Sequence, residues 1–349
     1  MSLTPVSATE IIARLADFDA IIDARSEAEY QEDHLPGAVN WPTLNNAERI
    51  EIGTLYKQVN PFEARKRGAA KAARNIAAHI ENSVIDKPRD WRPLAYCWRG
   101  GQRSGSLALI LSQIGFRVTL VEGGYKAFRA ALVQDIVTRM PGLSFKVICG
   151  PTGSGKTRLL QALAAQGAQV LDLEALANHR SSVLGAMPGL AQPTQKRFET
   201  LIWDQLRGFD PALPVFVESE SKKVGNLSVP APLMDAMRAS PCLNLQLSDA
   251  QRVALLLEDY AYLTQDVAYF CERLAKLTEL KGHAVVGRWQ ALAQQGDFSS
   301  VVTELLVQHY DPAYLQSMQR NFVQFPRAAQ LLPADRSMAA MTQLAGELA

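Results

Sequence analysis

The sequence predicts an α/β protein with two sheet-containing domains and a mainly helical C-terminal region. Three observations support this class. Short apolar runs alternate with helix-favouring segments over residues 1–138 and again over 143–250, which is typical of mainly parallel sheets. A glycine-rich loop at residues 150–157 stands between an apolar run and a helical segment. Over residues 251–349, leucines and aromatic residues recur at helical spacing.

The overall composition is that of an ordinary globular chain of two or three domains, with 349 residues, 48% hydrophobic and 20% charged. The formal net charge is +1, so any surface for nucleic acid must be local. The N-terminal segment lacks the pattern of a signal peptide, and no apolar run is long enough to span a membrane. We therefore expect a cytoplasmic protein without membrane contact.

The cysteines are too widely spaced for a CxxC motif or a zinc site. They are Cys97, Cys149, Cys242 and Cys271. We expect no disulfide framework and a reducing environment, which suits a reactive thiol. Cys149, Cys242 and Cys271 are expected to be packing residues.

In the first domain, the pattern predicts a series of strands and helices. The predicted strands are 20–25, 93–96 and 118–121, and the predicted helices are 9–15, 62–81, 104–114 and a last helix ending near Thr138. Ser104 is the expected N-cap of its helix. Sites in such sheets lie at the carboxyl ends of strands, and Cys97 stands at one of them.

The loop after Cys97 has the composition of an anion cradle for a nucleophilic thiolate. Its residues are Trp98, Arg99, Gly100, Gly101, Gln102 and Arg103. The glycines allow a tight turn, and the loop amides and the two arginines should favour the thiolate. The alternative is a buried core cysteine beside a glycine turn.

Four segments of this domain resemble the rhodanese family: residues 23–26, 34–38, the Cys97 loop and 121–125. The resemblance implies a rhodanese-like fold in which Cys97 carries sulfur or selenium. Five residues separate Cys97 from Arg103, whereas the usual bacterial rhodanese loop has four. Five is the spacing of cysteine phosphatases, although Tyr96 replaces their usual histidine. We interpret the wider loop as room for a donor that carries a phosphate.

A basic window lies between the first two predicted strands of this domain, at residues 57–74. It contains Lys57, Arg65, Lys66, Arg67, Lys71 and Arg74 against the single acid Glu63. It is either a contact for a phosphate backbone, centred on Arg65, Lys66 and Arg67, or a solvated helix face. His79, on the same helix, is expected to be structural.

The second domain begins with a strand at residues 145–149, followed by a G-x-x-x-x-G-K-T loop and a helix. This is the setting that a P-loop requires. Its residues are Gly150, Pro151, Thr152, Gly153, Ser154, Gly155, Lys156 and Thr157. Their amides and the lysine suit a phosphate chain, and the Thr157 hydroxyl suits a magnesium ion if one is used.

Acidic residues follow the next strands of this domain. Asp172 and Glu174 come after the strand 169–171, and Glu218 comes after 214–217. They could contact an acceptor hydroxyl or a metal-bound water, or cap a helix. His179 and Arg180, followed by Ser181 and Ser182, could face the phosphates or an RNA strand, or serve in packing or capping.

The C-terminal region carries basic residues among aromatic ones. The basic residues are Arg273, Lys276, Lys281 and Arg288, and the aromatic ones are Tyr269, Phe270 and Trp289. They form either an RNA surface with stacking platforms or an amphipathic helical cap on the P-loop domain.

Taken together, the two loops resemble the bacterial tRNA 2-selenouridine synthase family, as do the segments 121–127, 172–174 and 310–312. The resemblance implies two steps on the wobble 2-thiouridine of tRNA. Geranyl diphosphate first alkylates the sulfur, and selenium from selenophosphate then replaces the geranylated sulfur. The alternatives are a P-loop kinase or NTPase with a sulfur-carrying domain, and a regulatory module in which Cys97 senses oxidants.

Overall fold

The structure, a computed structural model, describes residues 4–180 and 189–348. It contains two compact units, Met1–Thr138 with Glu199–Asp204, and Arg139–Phe198 with Gln205–Ala349. Each is built on a parallel sheet, so the predicted α/β class is confirmed. No helix in the described part of the chain is long and apolar enough to cross a membrane.

The first unit contains a five-stranded parallel sheet in the order β1-β5-β4-β2-β3. Its strands are β1 (Thr4–Val6), β2 (Ala20–Asp23), β3 (Ala38–Asn40), β4 (Pro93–Tyr96) and β5 (Thr119–Val121). Its helices are α1 (Ala8–Ala13), α2 (Glu27–Glu32), α3 (Asn46–Gln58), α4 (Pro61–Ser83), α5 (Gln102–Ile114) and α6 (Gly124–Arg139). Strand β4 is buried along its whole length, as a short apolar run predicts.

Capping residues explain where the helices of the first unit begin. The Asn60 side chain accepts hydrogen bonds from the amides of Phe62 and Glu63, and Pro61 occupies the first position of α4. The prediction that Ser104 caps α5 is wrong. The helix begins at Gln102 with Gly101 at the N-cap, because the Ser104 hydroxyl is directed to Cys97 instead.

Residues 199–204 complete the core of the first unit. The Trp203 ring is buried, lies edge-on to Phe128 and donates a hydrogen bond of 2.7 Å to Asp135. The Thr200 hydroxyl donates one of 2.9 Å to the buried Asp33. This unit is therefore not continuous in sequence.

The second unit contains a five-stranded parallel sheet in the order β12-β11-β6-β8-β7. Its strands are β6 (Phe145–Cys149), β7 (Gln169–Leu171), β8 (Val215–Glu218), β11 (Cys242–Leu245) and β12 (Ala329–Leu331). A separate antiparallel hairpin is formed by β9 (Lys223–Val224) and β10 (Leu227–Ser228). The sheet helices are α7 (Lys156–Ala165), α8 (Leu173–Ala177) and α10 (Ala231–Ala239). A further helix, α9 (Gln195–Arg207), has its ends in this unit and its residues 199–204 in the first unit.

The predicted helical region consists of short helices around its own apolar core. They are α11 (Asp249–Asp259), α12 (Ala261–Gln265), α13 (Val267–Ala275), α14 (Thr278–Lys281), α15 (His283–Gln294), α16 (Phe298–Leu305) and α17 (Asp311–Asn321), with a π-type segment at Leu306–Tyr310. Beyond them, β12 and α18 (Met338–Leu348) return to the P-loop sheet, where Met341 packs with Leu159 and Leu163 of α7.

The interpretation of this region as an RNA surface with stacking platforms is wrong for two of its aromatic residues. Phe270 and Trp289 are buried in the helical core, so neither ring is available to a base. Arg273 is also buried, and Arg288 is paired with Glu304. The alternative of amphipathic helices accounts for these two rings, because the apolar side chains are needed to hold the short helices together.

Candidate active sites

Cys97 lies in the loop between β4 and α5, at the carboxyl edge of the first sheet. Its side chain is 3% exposed. The Ser104 hydroxyl lies 3.2 Å from its Sγ, and the Sγ lies 3.8 Å from the carbonyl oxygen of Gly101. The first turn of α5 therefore contacts the sulfur directly, through a side chain for which we had predicted a capping role.

The backbone of the start of α6 fixes the Cys97 loop. The Tyr125 amide donates a hydrogen bond of 2.8 Å to the Cys97 carbonyl, and the Lys126 amide donates one of 3.0 Å to that of Trp98. A Cβ on Gly124 would overlap the Cys97 carbonyl oxygen and the Gly100 nitrogen. Gly100 has a φ of +67°, which favours glycine. The backbone of the Cys97 loop and the backbone at the start of α6 thus lie closer together than a side chain at Gly124 would allow.

The two loop arginines differ in their surroundings. Arg103 donates a hydrogen bond of 2.6 Å to Glu29, whereas Arg99 is exposed. Burial opposes ionisation of Glu29, but the hydrogen bond and charge of Arg103, together with the Ser26 amide and the charge of Arg49, outweigh it and hold the pKa of Glu29 below its usual value. The expected effect of both arginines on the Cys97 thiol stays a prediction.

A buried polar network supports the neighbouring strand ends. Asp23 accepts hydrogen bonds of 2.6 Å from Arg25 and 2.7 Å from the Tyr96 hydroxyl. The Arg25 guanidinium lies 4.0 Å from the centre of the Tyr125 ring. Burial, and then the charge of Asp23, raise the pKa of Tyr96 well above its usual value, so the phenol stays a hydrogen-bond donor. Tyr96 precedes Cys97, and the network therefore fixes where the loop begins.

In the second unit, the P-loop joins β6 to α7 as the motif predicts. Gly153 and Gly155 have φ values of +79° and +90°, which turn successive amides around the loop. Lys156 donates a hydrogen bond of 2.8 Å to the Gly150 carbonyl. The lysine is thus already placed over the loop that it serves.

Side chains from α11 and α17 brace the P-loop. Arg252 is 4% exposed and donates a hydrogen bond of 3.0 Å to the Thr152 carbonyl and one of 2.6 Å to Asp311. The Gly150 amide donates one of 2.6 Å to the Tyr314 hydroxyl. Neither Arg252 nor Tyr314 is predicted from the sequence as a site residue. Asp311, the partner of Arg252, lies in the segment 310–312, which the sequence singles out only through the family resemblance.

Three carboxylates meet near the P-loop. They belong to Glu174, Glu218 and Glu220, and one oxygen from each lies within 4.8 Å of the others. Burial, and then the nearby Glu174 and Glu220, raise the pKa of Glu218 well above its usual value. Oxygen ligands at this spacing fit a hard divalent cation such as Mg²⁺. Glu220 was missed, because it follows the end of β8 by two residues.

Not all predicted acidic residues join this group. The Asp172 carboxylate caps α8 by accepting a hydrogen bond of 2.8 Å from the Ala175 amide, which is the capping alternative. Burial raises its pKa. Asp172 is therefore accounted for by the helix that it starts.

A cleft of about 330 Å³ lies over the P-loop. Its polar lining includes Thr152, Lys156, Thr157, Glu174, Arg180, Glu218, Glu220 and Tyr314. Gly150, Pro151 and Ser154 belong to the loop but do not line the cleft. The cleft places a lysine and loop amides opposite carboxylates, which is suited to a phosphate chain with a metal ion.

Each unit matches a known protein family. Residues 7–131 match the rhodanese-like domain family, and residues 143–276 match the family described as the tRNA 2-selenouridine synthase AAA domain. A protein named tRNA 2-selenouridine synthase from Alcanivorax borkumensis is 32% identical over 86% of this chain and 90% of its own length. The chain belongs to the tRNA 2-selenouridine synthase family.

Other relatives with the same name come from Cupriavidus necator and Nitrosomonas europaea. The first is 34% identical over 84% of this chain and 87% of its own length. The second is 36% identical over 70% of this chain and 64% of its own length. The predicted membership of the tRNA 2-selenouridine synthase family is confirmed.

In this member of the tRNA 2-selenouridine synthase family, His179 and Arg180 have different surroundings. The Arg180 guanidinium lines the cleft and lies 4.7 Å from the centre of the Tyr260 ring. Burial, and then the charge of Arg273, lower the pKa of His179, which does not line the cleft. Ser181 and Ser182 lie outside the described residues.

The basic window lies on α4 except for Lys57, which belongs to α3, and its Lys71 is half-buried and lies 3.1 Å from Glu51. Arg65, Lys66 and Arg67 are all exposed, and Lys66 is 2.5 Å from Glu63. Both the nucleic-acid contact and the solvated face remain compatible with this exposure. His79 is structural, as predicted, because its ring stacks on Trp41 and its Nε2 lies 3.1 Å from the Pro42 carbonyl oxygen.

Proposed function

We propose that this protein converts the wobble 2-thiouridine of tRNA to 2-selenouridine through S-geranyl-2-thiouridine. Its substrates are then tRNA, geranyl diphosphate and selenophosphate. One observation carries the proposal. A loop with a buried cysteine and a P-loop held by Arg252 occur in one chain, and relatives of that chain are named tRNA 2-selenouridine synthase. The first loop suits selenium transfer and the second suits a diphosphate leaving group.

In the first step, the thiouridine sulfur attacks C1 of geranyl diphosphate. A carbon–sulfur bond forms, the carbon–oxygen bond to diphosphate breaks, and the N3 proton of the base is released. Negative charge grows on the leaving diphosphate, where the P-loop amides and Lys156 are fixed donors. A magnesium ion would be held by the Thr157 hydroxyl and the carboxylates of Glu174, Glu218 and Glu220, and would neutralise charge on the diphosphate.

In the second step, the selenium of selenophosphate adds at C2 of the alkylated base and geranyl thiol leaves. The Cys97 thiolate then takes the phosphoryl group, which breaks the phosphorus–selenium bond and leaves 2-selenouridine, and water hydrolyses the resulting phosphocysteine to release phosphate. We assign Cys97 to this step, because its loop is the one that suits a phosphate-carrying selenium donor. Cys97 is 3% exposed, so little bulk water would compete with its thiolate.

Mass spectrometry of tRNA nucleosides tests this function. Purified protein, tRNA bearing 2-thiouridine and geranyl diphosphate should yield S-geranyl-2-thiouridine, and further addition of selenophosphate should yield 2-selenouridine. ATP turnover without either product would identify a P-loop kinase or NTPase instead. Nucleosides from cells with and without the gene provide the matching test in vivo.

A further inference from the structure

A second, mainly apolar cavity lies in the helical part of the second unit. Its volume is about 50 Å³. The lining includes Leu256, Leu257, Tyr260, Leu263, Phe270, Phe298, Val302, Leu305 and Leu306, from α11, α12, α13, α16 and the segment that follows α16. Leucine, valine and phenylalanine side chains offer no polar atom to a ligand, so this lining favours a hydrocarbon.

The cavity adjoins the phosphate cleft. Thr152, Leu256, Tyr260 and Tyr310 line both spaces. Leu256 also lies directly against the P-loop, since a Cβ on Gly153 would be 3.0 Å from its Cδ1. A ligand with phosphates on the loop can therefore extend past Leu256 into the cavity.

We propose that this cavity binds the end of the hydrocarbon chain of a prenyl diphosphate whose phosphates occupy the P-loop. This inference rests on the proposed function and names the subsite for its alkyl donor. The cleft of about 330 Å³ holds the head and the first part of the chain, and the cavity of about 50 Å³ holds the chain end.

The size of this cavity would then determine which length of alkyl chain the protein binds best. Every additional buried methylene strengthens binding, and one buried isoprene unit gives about a tenfold gain or more. Val302 and Phe298 of α16 line the cavity but not the phosphate cleft. Their size should therefore affect the alkyl chain and not the diphosphate.

The test compares Val302→Trp with Val307→Trp. Val302 lines the cavity, whereas Val307 lies five residues further along the chain and is 59% exposed. Calorimetry would measure the binding of geranyl S-thiolodiphosphate and of inorganic diphosphate. In the Val302→Trp protein, we expect binding of the geranyl analogue to weaken by about tenfold or more and that of inorganic diphosphate to stay unchanged. The Val307→Trp protein should match the original for both.

Two further variants keep the proposal testable if Val302→Trp does not fold. Leu257→Trp should weaken binding of the geranyl analogue in the same way. Phe298→Ala should enlarge the cavity and shift preference toward the C15 analogue of the same series. Unchanged affinity for the geranyl analogue in a folded Val302→Trp or Leu257→Trp protein overturns the proposal. So does a matching loss of ADP binding, which would place a nucleoside in the cavity.

The experiment separates this inference from the proposed function. If the original protein binds the geranyl analogue no more tightly than inorganic diphosphate, the cavity proposal is wrong, whether or not tRNA is modified. If Val302→Trp weakens binding of the geranyl analogue but the original protein does not geranylate tRNA, the proposed function is wrong and the proposed prenyl-binding cavity is supported.

Discussion

The Cys97 loop and the P-loop are both strand–loop–helix turns, but they are supported differently. Backbone groups support the Cys97 loop, through the Tyr125 amide and the close approach of Gly124. Long side chains support the P-loop, because Arg252 and Tyr314 bind its backbone from helices that come 100 or more residues later. The first loop therefore depends on nearby glycines, and the second depends on a distant part of the chain.

This difference suggests how each loop responds to substitution. A backbone contact has no side chain to remove, so the Cys97 loop should tolerate changes except at its glycines, at Cys97 itself and at Tyr96 and Arg103, whose side chains are hydrogen-bonded. The P-loop should lose order when a single bracing side chain is removed, even though its own sequence is intact. The two loops should also fail independently, since each serves one proposed step.

The largest expected effect is that of Cys97→Ser. We expect 2-selenouridine formation to be abolished and geranylation of 2-thiouridine to continue, because only the second step needs the thiol. Nucleoside mass spectrometry measures both products. Loss of both steps in a folded Cys97→Ser protein would show that the loops are not independent, and the circular dichroism spectrum provides the control for folding.

Lys156→Ala should affect the other loop. We expect geranylation to fall by about a hundredfold or more, because a fixed donor to the leaving diphosphate is lost. Selenation should fall only for lack of its substrate, and tRNA that already carries the geranyl group should restore it. A folded variant that stays inactive on geranylated tRNA would contradict the assignment of the two steps.

Arg252→Leu tests the bracing of the P-loop without changing the loop itself. Leaving the Asp311 carboxylate and the Thr152 carbonyl without this partner should lower the free energy of unfolding by about 1–3 kcal/mol. Inorganic diphosphate should bind more weakly, while selenation of geranylated tRNA should be unaffected.

The double variant Arg252→Leu with Asp311→Leu provides the matched control. Removing both charges should recover part of the lost stability but none of the diphosphate binding, since Thr152 stays without its donor. Full recovery of diphosphate binding would show that Arg252 acts only through Asp311.

The smallest expected effect concerns the pH dependence of stability. The pKa of Glu218 is raised in the folded state. Its contribution to the free energy of unfolding is therefore fully present below the pKa that it has in the unfolded chain, and is lost as the pH rises through its pKa in the folded protein. Glu218→Gln should therefore raise the free energy of unfolding at alkaline pH relative to the original. The exposed Glu272 provides the control, because Glu272→Gln should not change this pH dependence. Denaturant unfolding at several pH values measures both.

The two strand–loop–helix turns could be predicted because each is formed by one short, continuous stretch of sequence. In each loop the strand, the glycines and Cys97 or Lys156 lie within about ten positions, so their placement between a strand and a helix could be predicted from the pattern. The same holds for Glu218 at the end of β8. Such predictions succeed because a strand end and a helix start leave the same backbone groups free in every parallel sheet.

The missed residues depend on contacts between distant parts of the chain. Arg252 reaches Thr152 across 100 positions, and Tyr314 reaches Gly150 across 164. Neither residue type is distinctive, and no spacing rule links them to the loop. Ser104 was assigned wrongly for a related reason: its hydroxyl can bind either a backbone amide or the Cys97 sulfur, and only the folded loop decides between them.

Residues 199–204 have a consequence for the order in which the chain is completed during synthesis. The first unit needs Trp203 and Thr200 for its core, but the ribosome makes β6, the P-loop and α7 before it reaches them. The N-terminal unit therefore cannot finish folding first, although its strands emerge first. Until α9 is synthesised, Phe128 and Asp33 lack these partners, so nascent chains that stop before residue 199 should be more sensitive to protease in the first unit than chains that extend past residue 204.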